Sequence, residues 1–330
     1  MTQPFVTIIM PVRNEADFIA RSLGAALRQT YPADCYEIIV VDGMSDDATR
    51  QVVAELAAAT AVAVRLLENP ARTTPQALNL GVEAARGAVV VLVGGHCEIA
   101  PDYIAACVAA LERSGAACVG GAMTTIGQTQ RAEQIAMAQS SPFGVGGVAF
   151  RTGRETAGYV DTVAFGAYRR EVFAQIGGFD EELVRNQDDE LNFRLTQAGG
   201  KIWLDPAIRV DYFSRASVGR LWRQYYEYGL YKVRVIQKRG AVPSWRHLVP
   251  AGFVLALALS LLAAIGLRRP KLALAVAGPY ALASAAASLH TARRDPAAIA
   301  SLPPIFATLH LAYGLGFLAG LWRWRRRRQL

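Results

Sequence analysis

Two β-branched runs near the N-terminus, Val6-Thr7-Ile8-Ile9-Met10 and Glu37-Ile38-Ile39-Val40-Val41, each stop abruptly in polar, turn-forming residues. Runs of this kind are strands buried on both faces, as in parallel sheets covered by helices. Between them, Ala16 to Gln29 carries Phe18, Ile19, Leu23, Ala26 and Leu27 at helical spacing and is closed by Tyr31-Pro32, so the unit reads as βαβ. In open α/β sheets ligands bind at the carboxyl ends of the strands. Pro11-Val12-Arg13-Asn14-Glu15 and Asp42-Gly43-Met44-Ser45-Asp46-Asp47 are therefore expected side by side at one crevice mouth.

The alternation continues. A helix is expected from about Ala48 to Ala59, a strand over Val62 to Leu67, a helix over Pro75 to Ala85, and a strand over Ala88 to Val93 that runs into Gly94-Gly95-His96-Cys97-Glu98. Repeated strand and helix predicts a doubly wound parallel sheet. Beyond it the spacing predicts a helix over Asp102 to Ser114 and a strand over Ala117 to Met123. Gln139 to Gly158 is rich in Gly, Ser and Pro, and reads either as a functional loop, here an acceptor-facing lid, or as a disordered one.

Of the 330 residues 52% are hydrophobic, and the excess lies at one end. Leu248 to Leu267 and Leu272 to Leu289 carry no charge, and in Pro296 to Trp322 His310 is the one residue that could carry charge near neutral pH. At about 1.5 Å rise per residue and about 30 Å of hydrocarbon, each is long enough to span a bilayer. The expected organisation is a soluble domain over 1–213, an amphipathic interface region over 214–247, membrane-embedded helices over 248–322 (segments 248–267, 272–289 and 302–322), and a basic tail over 323–330. Ser217 to Lys238 interleaves aromatic and basic side chains at helical spacing, which suits a helix in the headgroup layer, a helix packed on the domain, or opposite faces doing both.

The formal charge of +8 is carried partly by Arg323 and Arg325 to Arg328, mixed with Trp322 and Trp324. That mixture suits membrane headgroups rather than nucleic acid, the plain alternative being a solvated basic tail. The four cysteines show no zinc-like pairing and read as reduced thiols. No cleavable signal peptide precedes Val6, so the first domain is expected in the cytosol, and a positive-inside tail then asks for an even number of crossings. Leu272 to Leu289, Ala-rich with Gly278-Pro279 inside it, is the span best suited to packing between helices.

Together these segments resemble a known family, the inverting family 2 glycosyltransferases. The resemblance runs through Val6 to about Arg239. Its carriers are Pro11 to Glu15, Val41 to Asp47, Asn79-Leu80-Gly81 with Ala85-Arg86-Gly87, Ile176-Gly177-Gly178-Phe179-Asp180-Glu181, and Gln187 to Arg194. Ser140 to Gly146, Arg185 to Asn192 and Arg223 to Gly229 look most like the exopolysaccharide transferases of the succinoglycan ExoA type. The resemblance implies a GT-A (nucleotide-diphospho-sugar transferase) fold, a doubly wound mixed sheet followed by an α-helical membrane domain. It further implies a nucleotide-sugar donor such as UDP-hexose, a polyprenyl-diphosphate-linked saccharide acceptor, and a place on the cytosolic face of the inner membrane, in contact with membrane lipids and possible polysaccharide assembly partners.

By the same resemblance Asp188 is the general base that deprotonates the acceptor hydroxyl, an operation that one well-placed carboxylate performs. Asp189, Glu190, Arg194, Arg223 and Gln224 are expected to meet the acceptor or orient the base, and like charge from Asp189 and Glu190 is expected to lift the Asp188 carboxyl. Acids here also suit a helix N-terminus over Glu190 to Gln197 without any chemistry. Pro11, Val12, Arg13, Glu15, Asp42, Arg72 and Gly95 would line the nucleotide, Asp42 accepting from a uracil imide and Arg72 facing phosphate. The leaving diphosphate calls for a divalent cation, Mn²⁺ or Mg²⁺. The family's Asp-x-Asp falls on Gly94-Gly95-His96, which lacks both acids. His96 is then the candidate ligand, favouring Mn²⁺ over Mg²⁺, with Glu98 and Asp211 as weaker oxygen donors. Two alternatives stay open: transfer onto polyprenyl phosphate itself, and a catalytically silent scaffold in an assembly complex.

Overall fold

The computed structural model describes residues 3–153, 155–214, 217–293 and 295–325, so Arg326 to Arg328 of the basic tail lie outside the described residues. The chain divides into two compact units, Met1–Thr124 with Gly153–Phe213, and Thr125–Thr152 with Ser214–Leu330. A single cut at residue 213 is therefore not how the chain divides. The segment that leaves the first unit after Thr124 groups with the C-terminal helices.

The first unit is built on one nine-stranded sheet. β1 (Val6–Val12), β2 (Tyr36–Asp42), β3 (Ala63–Glu68) and β4 (Val89–Leu92) are parallel, with Val12 opposite Asp42 and Asp42 opposite Glu68. Ile8, Ile9, Ile38, Ile39, Val40 and Val41 are fully buried. At about 1.5–3 kcal/mol for each such side chain, this pair anchors the unit. Helices α1 (Ile19–Leu27), α2 (Thr49–Ala58) and α3 (Thr74–Ala84) supply the crossovers. All four of these strands point their carboxyl ends to the same edge, which sets the location of the site.

Past β4 the sheet is antiparallel, and here the expectation of a wholly parallel sheet fails. β5 (Cys97–Ile99), β6 (Cys118–Ile126), β7 (Gly158–Val160), β8 (Ala167–Arg169) and β9 (Ile202–Phe213) extend it in the order β3-β2-β1-β4-β8-β6-β9-β5, with β7 also on β9. β8 runs antiparallel to β4, and β5 antiparallel to β9. The three-residue strands β5, β7 and β8 are too short to carry a period, so only pairing reveals them. The expected mixed GT-A sheet is what forms. α4 (Tyr103–Ser114), α7 (Glu171–Ile176) and α8 (Gln187–Gln197) complete the unit.

In the second unit, α5 (Gln130–Ser140) and the single turn α6 (Pro142–Val145) take up only the beginning of the stretch expected to be irregular, residues 139–140 and 142–145. Phe143 packs edge-on against Phe306, and His310 Nε2 lies 2.9 Å from the Phe143 carbonyl oxygen. The apolar Ile135, Ala138 and Phe143 explain why this segment is held down rather than loose.

The remaining helices are α9 (Val218–Arg239), α10 (Val249–Gly266), α11 (Leu274–Thr291) and α12 (Leu302–Arg323). Among the described residues three helical stretches are long and apolar enough to cross a membrane: Trp245–Gly266, Pro270–Thr291 and Leu302–Arg323. The small-residue expectation moves to another helix. Pro270–Thr291 is 11% buried and Leu302–Arg323 is 50% buried. It is α12 whose Gly316 lies against the Tyr226 carbonyl of α9, while the Tyr313 carbonyl lies against Gly229. Leu221, Tyr225, Leu230, Val233 and Val235 of α9 are buried, and Trp222 and Arg223 are exposed. Trp324, expected at the headgroups, is instead 5% exposed, its indole N–H donating to the Leu230 carbonyl at 3.3 Å.

Candidate active site

At the ends of β1 and β2 the two turns are tied into one knot. The Asn14 amide donates to Ser45 Oγ at 2.9 Å, the Asp46 amide to Asn14 Oδ1 at 3.1 Å, the Ala16 amide to Asp47 Oδ2 at 3.1 Å, and the Glu15 amide to Thr49 Oγ1 at 2.8 Å. Asn14 and Met44 sit in left-handed backbone at φ 54° and 59°, turning each strand sharply. Burial pushes the Asp47 carboxyl up, but hydrogen bonds from Thr49 and Ala16 outweigh it and hold the group below the usual carboxylate range. Ser/Asn/Asp/Thr clusters bond to nearby backbone in this way, a signal present in the sequence that reads only as a turn there.

Asp42 departs from expectation. Its side chain has no exposed surface, and its carboxylate accepts from the Ser45 amide at 3.0 Å and Ser45 Oγ at 2.5 Å, with Arg50 Nε at 3.7 Å. The reason is local, since a carboxylate three residues ahead of a serine in a tight turn finds donors in its own loop. A base reaches this group only by displacing Ser45. Pro11, Val12 and Arg13 precede the same turn, and exposed Arg72, at φ 62°, follows β3 at the same sheet edge.

At the end of β4 neighbouring side chains come close to both glycines. A Cβ on Gly94 would lie 3.0 Å from Cε1 of Phe165, and one on Gly95 would lie 3.0 Å from Cγ of Glu15. Two neighbouring side chains fill the space that larger residues would need. His96 Nδ1 lies 2.7 Å from Glu15 Oε2, and its ring meets Phe18 edge-on at 5.5 Å between centroids. Glu15, expected on the nucleotide, is thus held at the histidine.

The weaker metal donors are also engaged. Glu98 pairs with Arg21 at 2.5 Å, and Arg21 stacks over the Phe213 ring at 4.3 Å. Asp211 stands directly across the β5–β9 ladder from Glu98. Burial first, then the facing Glu98, push the Asp211 carboxyl up, with Arg209 pulling it partly back. Among the described residues no three His, Cys, Asp or Glu side chains converge as a ligand set. His96, Glu98 and Asp211 therefore do not form a metal cage of their own.

The three acids of α8 have different fates. Glu190 is fully buried, its two oxygens accepting from Arg194 Nε at 3.1 Å and Nη2 at 3.0 Å, which removes it from any acceptor-facing role. Asp188 and Asp189 in the same first turn remain partly exposed. The helix starts at Gln187, earlier than the expected Glu190, so Asp188 sits inside its first turn. Asp188 Oδ1 accepts the Asp189 amide at 2.9 Å.

Several motif residues prove to be scaffolding for that helix. Arg194 also donates to the carbonyls of Ile176 and Gly178, and Asn79 grips the same turn, accepting from the Phe179 amide at 2.7 Å and donating to the Phe179 carbonyl at 3.0 Å. Arg194 thus braces the Ile176 to Phe179 turn against α8. Asn192, fully buried, accepts from the Tyr168 hydroxyl at 2.8 Å and donates to Thr162 Oγ1 at 2.9 Å. Burial above all, then Cys118 and Asp188, push the Tyr168 phenol up, keeping it a donor. Tyr168 carries no motif signal and Asn192 only that of the run it sits in, because a buried polar pair is defined by its partners. Arg223 and Gln224 belong to the second unit, where Gln224 donates to the Tyr228 hydroxyl at 2.8 Å.

The segment that carries the paired-turn edge and the glycine-histidine strand end matches the family model "Glycosyl transferase family 2" over residues 7–177. The chain belongs to glycosyl transferase family 2. It is a glycosyltransferase with a GT-A fold. Across 99% of its length it is 30% identical to the succinoglycan biosynthesis protein ExoA of Rhizobium meliloti (strain 1021), covering 98% of that protein. It is also 30% identical, over 76% of its length and 79% of the relative's, to a dolichyl N-acetyl-alpha-D-glucosaminyl phosphate 3-beta-D-2,3-diacetamido-2,3-dideoxy-beta-D-glucuronosyltransferase of Methanococcus voltae. The mannosyltransferase PcManGT from Pyrobaculum calidifontis, solved with GDP-Man and Mn²⁺, shares the fold at a TM-score of 0.63 and 22% identity, with 98% of this chain and 88% of that one aligned. The family match ends before α8, so for this glycosyltransferase Asp188 lies beyond it, within the 99% of the chain matched by the succinoglycan relative.

Proposed function

We propose that this glycosyltransferase moves a hexose from UDP, with inversion, onto a lipid-linked saccharide of a cell-surface polysaccharide or glycolipid, with Asp188 as general base. The observation that carries the reading is the placing of Asp188: it keeps part of its surface exposed in the first turn of a helix braced from two sides, whereas Glu190 is fully buried against Arg194. A rigid mounting is what general-base geometry demands. Two relatives support the acceptor class, one named for succinoglycan biosynthesis and the other for a dolichyl-linked sugar phosphate. Pro11 to Arg13, Arg72 and Gly95 would line the nucleotide, with Asp42 holding the turn beneath it. Asp189, Arg223 and Gln224 are the acceptor-side candidates.

A divalent cation would neutralise the leaving diphosphate, and His96 is the residue that would hold it, the phosphate oxygens and water completing the shell. The donor set fits: one imidazole nitrogen suits Mn²⁺ better than Mg²⁺. The three apolar helices would place the acceptor lipid and the transferase at the inner membrane, the first unit on the cytosolic side where nucleotide sugars are made. The test is transfer by the purified full chain in detergent, with a panel of nucleotide sugars and a lipid-linked acceptor extract. Asp188→Asn is expected to lower turnover by about 10²–10⁴-fold at unchanged thermal stability. Equal product from both proteins would sink the assignment.

A further inference from the structure

We propose that Glu15 is a positioning residue of the cation site: its carboxylate holds the His96 ring as the Nδ1–H form, leaving Nε2 as the one ring nitrogen able to bind a metal. The inference rests on the cation reading above and reassigns Glu15 away from the nucleotide.

Each part of Glu15 is fixed before any ligand arrives. Its amide donates to Thr49 Oγ1, and its carbonyl accepts from the Phe18 and Ile19 amides at 2.9 and 2.8 Å, so the same residue starts α1. Its side chain is 12% exposed and lies flat over Gly95, where no Cβ intrudes. His96 is held from two more directions, by the Phe18 ring and by the Phe213 amide donating to its carbonyl at 3.1 Å. At 2.7 Å an ionised carboxylate only accepts, so the proton on this contact belongs to Nδ1. With that nitrogen committed, a neutral imidazole has its lone pair on Nε2, and the carboxylate fixes the orientation of the ring. The His96 side chain keeps 32% of its surface exposed, so the ring is open to a ligand.

This arrangement replaces the function of an acid pair with different chemistry. Two carboxylates present hard oxygen atoms that suit Mg²⁺; a carboxylate-backed imidazole presents one nitrogen that suits transition metals. Gly94 and Gly95 then follow as packing consequences, since Phe165 and Glu15 fill the space beside them.

The experiment is Mn²⁺ binding to the full chain in detergent, followed by electron paramagnetic resonance, with Mn²⁺ alone and with Mn²⁺ plus UDP. Selective ¹⁵N-histidine spectra of the metal-free protein report the tautomer. Wild type is expected to show His96 with its proton on Nδ1, and to bind Mn²⁺ more tightly than Mg²⁺ competes for the same site. Glu15→Ala is expected to weaken Mn²⁺ binding by about 10–100-fold, Glu15→Gln by less because its amide oxygen still accepts, and His96→Ala by at least as much as Glu15→Ala. Metal-free UDP binding should be the same in wild type and Glu15→Gln. Wild type that binds no Mn²⁺ under either condition would overturn the cation reading itself. Wild type that binds Mn²⁺ while both Glu15 variants bind it equally well would overturn this inference and leave that reading standing, and so would a ring proton found on Nε2.

Discussion

Two edges of the same sheet treat their carboxylates in opposite ways. Beyond β2, Asp42 and Asp47 are surrounded by amide and hydroxyl donors from Ser45, Thr49 and Ala16, and Asp47 is held below the usual range. Across the β5–β9 ladder, Glu98 and Asp211 face one another with Arg21 on Glu98, and Asp211 is pushed up. Both pairs of acids follow from ordinary strand ends. The difference is the supply of donors: a turn with left-handed residues bends its own amides inward, whereas a regular ladder spends its amides on the neighbouring strand.

Removing a donor from the first edge should have the largest effect. Thr49→Val keeps the volume but strands the Glu15 amide and leaves Asp47 Oδ1 with the Thr49 amide alone, and is expected to cost about 1–3 kcal/mol in chemical denaturation. The pH dependence sharpens the same contrast. Because the folded Asp47 carboxyl lies below its unfolded value, its stabilisation is present above the unfolded value and is lost as pH falls through the folded one; Thr49→Val should flatten that acid limb.

At the second edge the effects are smaller. Arg21→Met removes the cation from Glu98, and since Arg21 is half exposed the loss is expected at about 1 kcal/mol or less, with the Asp211 carboxyl rising further. Smallest, and of opposite sign, is Asp211→Asn. A carboxyl raised on folding favours the folded state only while protonated, so its contribution is lost as pH climbs through the folded value. The variant should be at least as stable as wild type at neutral pH and less sensitive to pH between mildly acid and neutral, read by thermal melts across that range. A wild-type melt that rises with pH over the same window, together with an unchanged one for Asp211→Asn, would break the contrast.

The parallel half of the fold was legible because its strands are continuous β-branched runs and its helices keep a 3.6-residue period. Asp188 was legible in the acid run that heads α8, and the absence of the usual acids was plain in Gly94-Gly95-His96. The two short antiparallel partners β5 and β8 were not, being three residues long and defined by pairing with distant segments. Neither was the split at Thr124, since the apolar residues that draw the α5–α6 segment to the C-terminal helices look in sequence like any loop with a few hydrophobes.

What the amino-acid order determined by itself was therefore local: strand and helix periods, the turn chemistry after β1 and β2, three apolar stretches of membrane-spanning length, and which acids are available at all. Tertiary structure decided how those acids are used. Glu15 went to His96 and Glu98 to Arg21, 81 and 77 residues away, whereas Glu190 with Arg194 and Asp42 with Ser45 pair within one turn of the chain. Each outcome depends on which donor the fold brings within about 3 Å, a distance that hydrogen bonding demands and that sequence separation does not encode.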